Sequence, residues 1–145
     1  MTWLPLEKSS TSERDSVLGL HAAAHAAQEA YLEACAAAFD AGLLDLCRAR
    51  MALYLHCREE LGRHDAARLE QLRHWDRASG FTPLQRAALA FVDQFILDPA
   101  LIDRELVASL EGELGTSGVI DFAAVIAAFE ASLRLSTLLD LEPAP

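Results

Sequence analysis

"LLDLCRARMALYLHCREELGRH", residues 43–64, is the stretch on which the fold turns. Leu and Ala recur through it, joined by Met51, with Arg and Glu between them, and it contains no Val, Ile or Thr. Such strong helix formers predict a helix from about Leu43 to Leu61, ended or bent by Gly62. Its second half holds chemistry: His56, Cys57, Glu60 and His64. On a continuous helix, His56, Glu60 and His64 are four apart, and Cys57, Glu60 and His64 follow at steps of three and four. Those steps place them on one face.

The rest of the chain reads the same way. It has 145 residues, expected to form one domain over 1–145, and 52% of them are hydrophobic. Upstream, a long Ala-rich helix is expected from about Ser12 towards Phe39, with Leu20, Ala24, Ala27, Tyr31, Cys35 and Ala38 as its apolar stripe. Downstream, a shorter helix is expected from about Asp65 to Arg77. "TPLQ", residues 82–85, sets a cap, a first-turn proline and a capping-box glutamine at the head of a helix over 83–96. Two more helices, about 100–112 and 118–139, flank "GELGTSG". The expectation is an all-α, single-domain bundle of about six helices.

Charge and cysteine usage exclude several classes. The formal net charge is −10, so a phosphate backbone or an anionic membrane surface is repelled, and neither nucleic acid nor membrane is expected as partner. No apolar run approaches the ~20 residues that cross a bilayer. The first residues lack the basic-then-apolar order of a signal peptide. Three cysteines, Cys35, Cys47 and Cys57, with no CxxC, suit a reducing cytoplasm better than a disulfide framework.

At residues 54–66 the chemistry is limited. His56 with Glu60, and Glu60 with His64, have chelating spacing. His56 and His64 are about 12 Å apart along a straight helix, so one ion cannot take both. Two ligands are too few for a tight site, and no metal or other cofactor is expected. His21 and His25 form another i,i+4 pair without a third ligand in their own turns. A histidine near Cys57 favours the thiolate, whereas the Glu60 carboxylate disfavours it. An inert thiol buried among Tyr54, Leu55 and Leu61 is the competing reading.

Residues 43–64, followed by "HWDRASGFTPLQRAALAFVDQF" (74–95), resemble the carboxymuconolactone decarboxylase and alkylhydroperoxidase D family. That family carries a Glu before an R-x-R segment, then N-G-C-x-x-C-x-x-x-H, then W-x-x-S/A-x-x-F-S/T-x-x-E-R-A-A-L-A, and a closing helix with N-R-L. The resemblance spans roughly residues 15–141. Trp75, Phe81, Thr82 and Arg86 to Ala90 fall on the second motif, and Arg134 and Leu135 on the last. The resemblance implies a redox role for Cys57 as the first motif cysteine and proton handling for His64 and for Asp45, which stands at the Glu position. Glu60 stands where the attacking cysteine belongs, and Leu55-His56 replaces Asn-Gly.

The candidate site is therefore Cys57, Glu60, His64 and Asp45. Asp45 and Cys57 are roughly 18 Å apart on an unbroken helix, so sharing a site requires a bend or a neighbouring chain. The resemblance implies a peroxidase-related, thiol-dependent antioxidant protein with an incomplete cysteine pair. A decarboxylase-like acid–base enzyme using His64, and a non-catalytic binding or structural member, are the alternatives. It also implies a homo-oligomer (dimer, trimer or hexamer), and a small-molecule substrate is compatible with it.

Overall fold

The computed structural model describes residues 2–4 and 12–143. Every regular element among the described residues is helical. These are α1 (Glu13–Leu18), α2 (Ala22–Ala36), α3 (Ala41–Leu55), α4 (Arg58–Leu61), α5 (Ala66–Arg73), α6 (Pro83–Leu97) and α7 (Arg104–Leu138). Two 3-10 turns, Gly19–His21 and Pro99–Leu101, join them.

Caps explain most boundaries. Ser12 accepts from the Asp15 amide at the head of α1, Asp40 from Leu43 at α3, and Asp65 from Arg68 at α5. Thr82 and Gln85 form the expected reciprocal box, with Pro83 in the first turn of α6.

Three expected elements differ. The first long helix is interrupted by the turn at Gly19–His21. Its presumed core stripe faces outward: Leu20, Ala24, Ala27, Tyr31 and Ala38 are exposed, Cys35 is half-buried, and Leu32 is the buried residue of α2. Alanine is apolar all round, so its spacing did not say which side packs. The helix over Leu43–Leu61 is really α3 and α4, broken at His56, where the backbone is left-handed (φ 53, ψ 37). The last two helices run together as α7 with a kink at Gly115 (φ 75, ψ 166), a conformation glycine adopts without strain.

The core forms around α3. Leu43, Leu44, Cys47, Met51 and Ala52 are buried against Ala88, Phe91 and Val92 of α6 and Phe122, Val125, Ile126 and Phe129 of α7. Phe122 takes edge contacts from Phe39 and Phe91, with centroids 5.7 and 5.5 Å away. A smaller cluster of Leu46, Ala49, Leu72 and Leu89 fills the opposite side, with Trp75 and Phe81 packed on it.

A polar clamp pins this second side. Arg50 grips Asp93 with two bonds, Nε to Oδ1 at 2.7 Å and Nη2 to Oδ2 at 3.0 Å, and Nη1 donates to the Leu72 carbonyl. Trp75 Nε1 donates to the same carboxylate at 3.0 Å. Arg86 donates to the carbonyls of Trp75 and Ala78. One carboxylate on α6 thus holds α3 and the segment after α5. Asp93→Ala strands Arg50 and the indole N–H, and is expected to cost about 3 kcal/mol of unfolding free energy in urea denaturation. An unchanged midpoint would show that the clamp is dispensable.

Candidate functional site

The break at His56 makes the site. The Cys57 amide reaches back to the Ala52 carbonyl at 3.1 Å, closing α3, and Cys57 then sits in extended backbone at the head of α4. The chain reverses, so residues 60–64 return alongside α3 instead of running away from Asp45. His64 Nε2 lies 3.2 Å from Glu60 Oε1, and its Nδ1 lies 3.9 Å from Asp45 Oδ2. Asp45, Glu60 and His64 therefore converge.

Burial is uneven across this trio. The side chains of Glu60 and His64 are 4% and 7% exposed, and that of Asp45 is 57% exposed. A carboxylate as deep as Glu60 needs compensation. Arg48 supplies it, with Nε 2.7 Å from Glu60 Oε2, and Arg63 adds a more distant guanidinium at 3.7 Å. Arg48 also lies over the Phe129 ring, 5.3 Å from its centroid, so its position is fixed from both sides.

Asp45, Arg48, Glu60 and Arg63 face a cleft of about 820 Å³ bounded across from them by Arg14, Glu29 and Glu33. His64 is outside that lining and stands behind Asp45 and Glu60. On the far wall, Arg14 binds Glu59 at 3.2 Å, Glu29 at 3.2 Å, Ser136 Oγ at 2.8 Å and Ser132 Oγ at 3.2 Å. Glu59 is almost as buried as Glu60, so adjacent glutamates are each matched to an arginine from a different helix.

Cys57 and His56 stand apart from the trio. Cys57 is fully buried, packs in the main core and does not line the cleft. Burial pushes its thiol up; the Glu60 backbone N–H and the Thr137 hydroxyl pull it down without offsetting this, and the charges of Glu59 and Glu60 raise it further. Burial alone pushes Cys47 up to about 12. His56 is exposed and borders a separate hollow with Arg50, Tyr54 and Leu61. The expectation of one helical face carrying His56, Cys57, Glu60 and His64 is thus corrected: the helix breaks at His56, which is exposed elsewhere, and the Cys57 side chain turns into the core while those of Glu60 and His64 meet each other.

Sequence spacing missed Arg48, Arg14 and Glu59. Arg48 was legible as the first arginine of the R-x-R segment, though nothing local shows that it and Arg50 serve opposite sides of α3. Arg14 and Glu59 are 45 residues apart, with no local signal joining them.

No family model matches the chain, and no curated protein matches it. Among solved structures it is similar to the crystal structure of a protein of unknown function from Agrobacterium tumefaciens, for which a role as the antioxidant defence protein AhpD is suggested. The TM-score is 0.73 at 14% identity, over 93% of this chain and 100% of that one. The fold is AhpD-like and all-helical. No helix among the described residues is long and apolar enough to cross a membrane.

The three thiols are expected to differ in reactivity. Cys35, half-buried on α2, should take a thiol reagent in the native protein, whereas Cys47 and Cys57 should be labelled only as fast as the protein unfolds. Mass spectrometry of a labelling time course reads this directly, and prompt native-state modification of Cys57 would contradict its burial.

Proposed function

We propose that this chain is an AhpD-like, peroxidase-related protein that has lost dithiol turnover and keeps proton-transfer chemistry at a cleft. The observation that carries the reading is the convergence of Asp45, Glu60 and His64 beside the cleft while Cys57 is sealed in the core. Dithiol peroxidase chemistry needs one thiolate to attack peroxide and a second thiol to resolve the sulfenic acid. Here the attacking position is Glu60, and its carboxylate is committed to Arg48 and His64.

What remains suits acid–base work on a small molecule. Asp45 faces the cleft and stands beside the His64 ring, so a proton passes between substrate and ring through Asp45, while Glu60, itself held by Arg48, fixes the ring's other nitrogen. This chemistry is decarboxylase-like in kind. The antioxidant association of the structural neighbour favours a peroxidase ancestry for the fold, without transferring its activity.

Peroxide consumption coupled to a dithiol reductant is expected to stay near background. Glu60→Cys rebuilds C-x-x-C at the head of α4, where the residue-60 amide already points at the Cys57 sulfur, and should raise turnover. Robust turnover in the parent that disappears in Cys57→Ser would overturn the reading.

The same proposal includes self-association. The outward face of α2 presents Ala23, Ala27, Ala30, Tyr31 and Ala34, an apolar strip on an otherwise acidic surface. Light scattering at micromolar concentration should give a multiple of 15.8 kDa. A single-chain mass, or an oligomer unaffected by Ala27→Glu, would remove this part.

A further inference from the structure

We propose that the cleft takes an ammonium-bearing small molecule with a compact apolar body, and that Glu33 and Asp45 are the carboxylates that select its charge. The inference rests on the reading of the cleft as a small-molecule site and adds the class of molecule that enters it.

The cavity itself sets the size and half of the chemistry. About 820 Å³ is room for a small organic molecule rather than for a lone ion. Leu32, Ala36, Ala41, Leu44 and Phe129 contribute apolar lining, so an apolar body has a surface to cover.

The charges decide the sign. Seven carboxylates line the cleft against three guanidinium groups, and a field of that balance draws cations in. Each guanidinium already faces a carboxylate. Arg14 is divided between Glu29 and Glu59 and also donates to Ser132 and Ser136. Arg48 donates to Glu60 at 2.7 Å and lies over the Phe129 ring. Arg63, the most exposed of the three at 58%, is 3.7 Å from the same Glu60 oxygen.

The carboxylates are not all matched in return. Glu33, exposed on α2, has no side-chain partner among the described residues. Asp45 on α3 is 57% exposed, has no arginine partner and stands 3.9 Å from His64. One therefore comes from each of two helices that wall the cleft. An ammonium carries N–H donors and no acceptor, and a carboxylate only accepts, so the two match in hydrogen bonding as well as in charge. An incoming carboxylate instead meets Glu33 and Asp45, and it gains Arg14 or Arg48 only by competing with Glu59 or Glu60, buried acids that are costly to strip of a partner. The one opening for an anion is Arg63, whose hold on Glu60 is the longest.

The test is an amide chemical-shift titration of the full chain by NMR with three probes of similar shape: phenethylamine, phenethyl alcohol and hydrocinnamate. The amine is expected to give saturable shifts at Leu32, Glu33 and Asp45, with a dissociation constant at least about tenfold below that of the alcohol. Hydrocinnamate is expected to give no saturable shift there. Glu33→Gln and Asp45→Asn should each weaken amine binding about threefold or more, and added salt should weaken it as well. Asp121→Asn, at an exposed carboxylate outside the cleft lining, changes the net charge equally and should leave the affinity unaltered. All three substituted positions are exposed, so the variants should fold, which circular dichroism checks. Hydrocinnamate binding as tightly as the amine, or an amine affinity that neither Glu33→Gln nor Asp45→Asn lowers, would overturn the assignment of charge while leaving the cleft a small-molecule site. Cleft amides that none of the three probes shifts would overturn both.

Discussion

A single left-handed residue organises this molecule. At His56 the backbone has φ 53 and ψ 37, and everything C-terminal to it is redirected. An L-residue in this region costs roughly 1 kcal/mol relative to ordinary helix, although histidine tolerates it better than most. The fold accepts that cost because the closing bond to Ala52 and the burial of Cys57 directly after it are available only in this conformation. A straight helix would carry Glu60 and His64 more than 20 Å from Asp45 by simple rise per residue. The bend turns that distance into contact. Glycine would adopt this positive φ freely, so the bend is made here with a side chain less suited to it.

The second constraint is what a glutamate requires where a thiol is expected. A neutral thiol can sit at the edge of a core unpartnered, whereas a carboxylate 4% exposed cannot. Glu60 is tolerable because Arg48 reaches it at 2.7 Å and His64 meets its other oxygen. Glu60 thereby binds the histidine and an arginine into one network.

Much of the fold was legible because helices announce their ends. Thr82, Pro83 and Gln85 marked α6, Asp65 marked α5, and Gly62 marked the end of α4. The side that α2 buries was not legible, since an alanine-rich helix has no strong polar face to contradict the wrong choice. The site was half legible. Glu60 and His64 sit at contact spacing, and Asp45 could be assigned by resemblance. Their convergence depended on a backbone reversal at Leu55-His56-Cys57, and no residue there is a helix breaker by type. Long-range partners such as Arg14 with Glu59, Ser132 and Ser136 had no local signature at all.

The two arginines of "CRARM" show how one short segment serves stability and chemistry separately. Two residues apart on α3, Arg48 and Arg50 project in different directions. Arg50 turns to Asp93 and, through the shared carboxylate, to Trp75, fixing α3 against α6 and the segment after α5. Arg48 turns to Glu60 and so to His64 and the cleft. The Trp75–Arg86 region, the closest part of the family resemblance, belongs entirely to the Arg50 side. That region is framework, and the cleft-facing polar network is built on the Arg48 side instead.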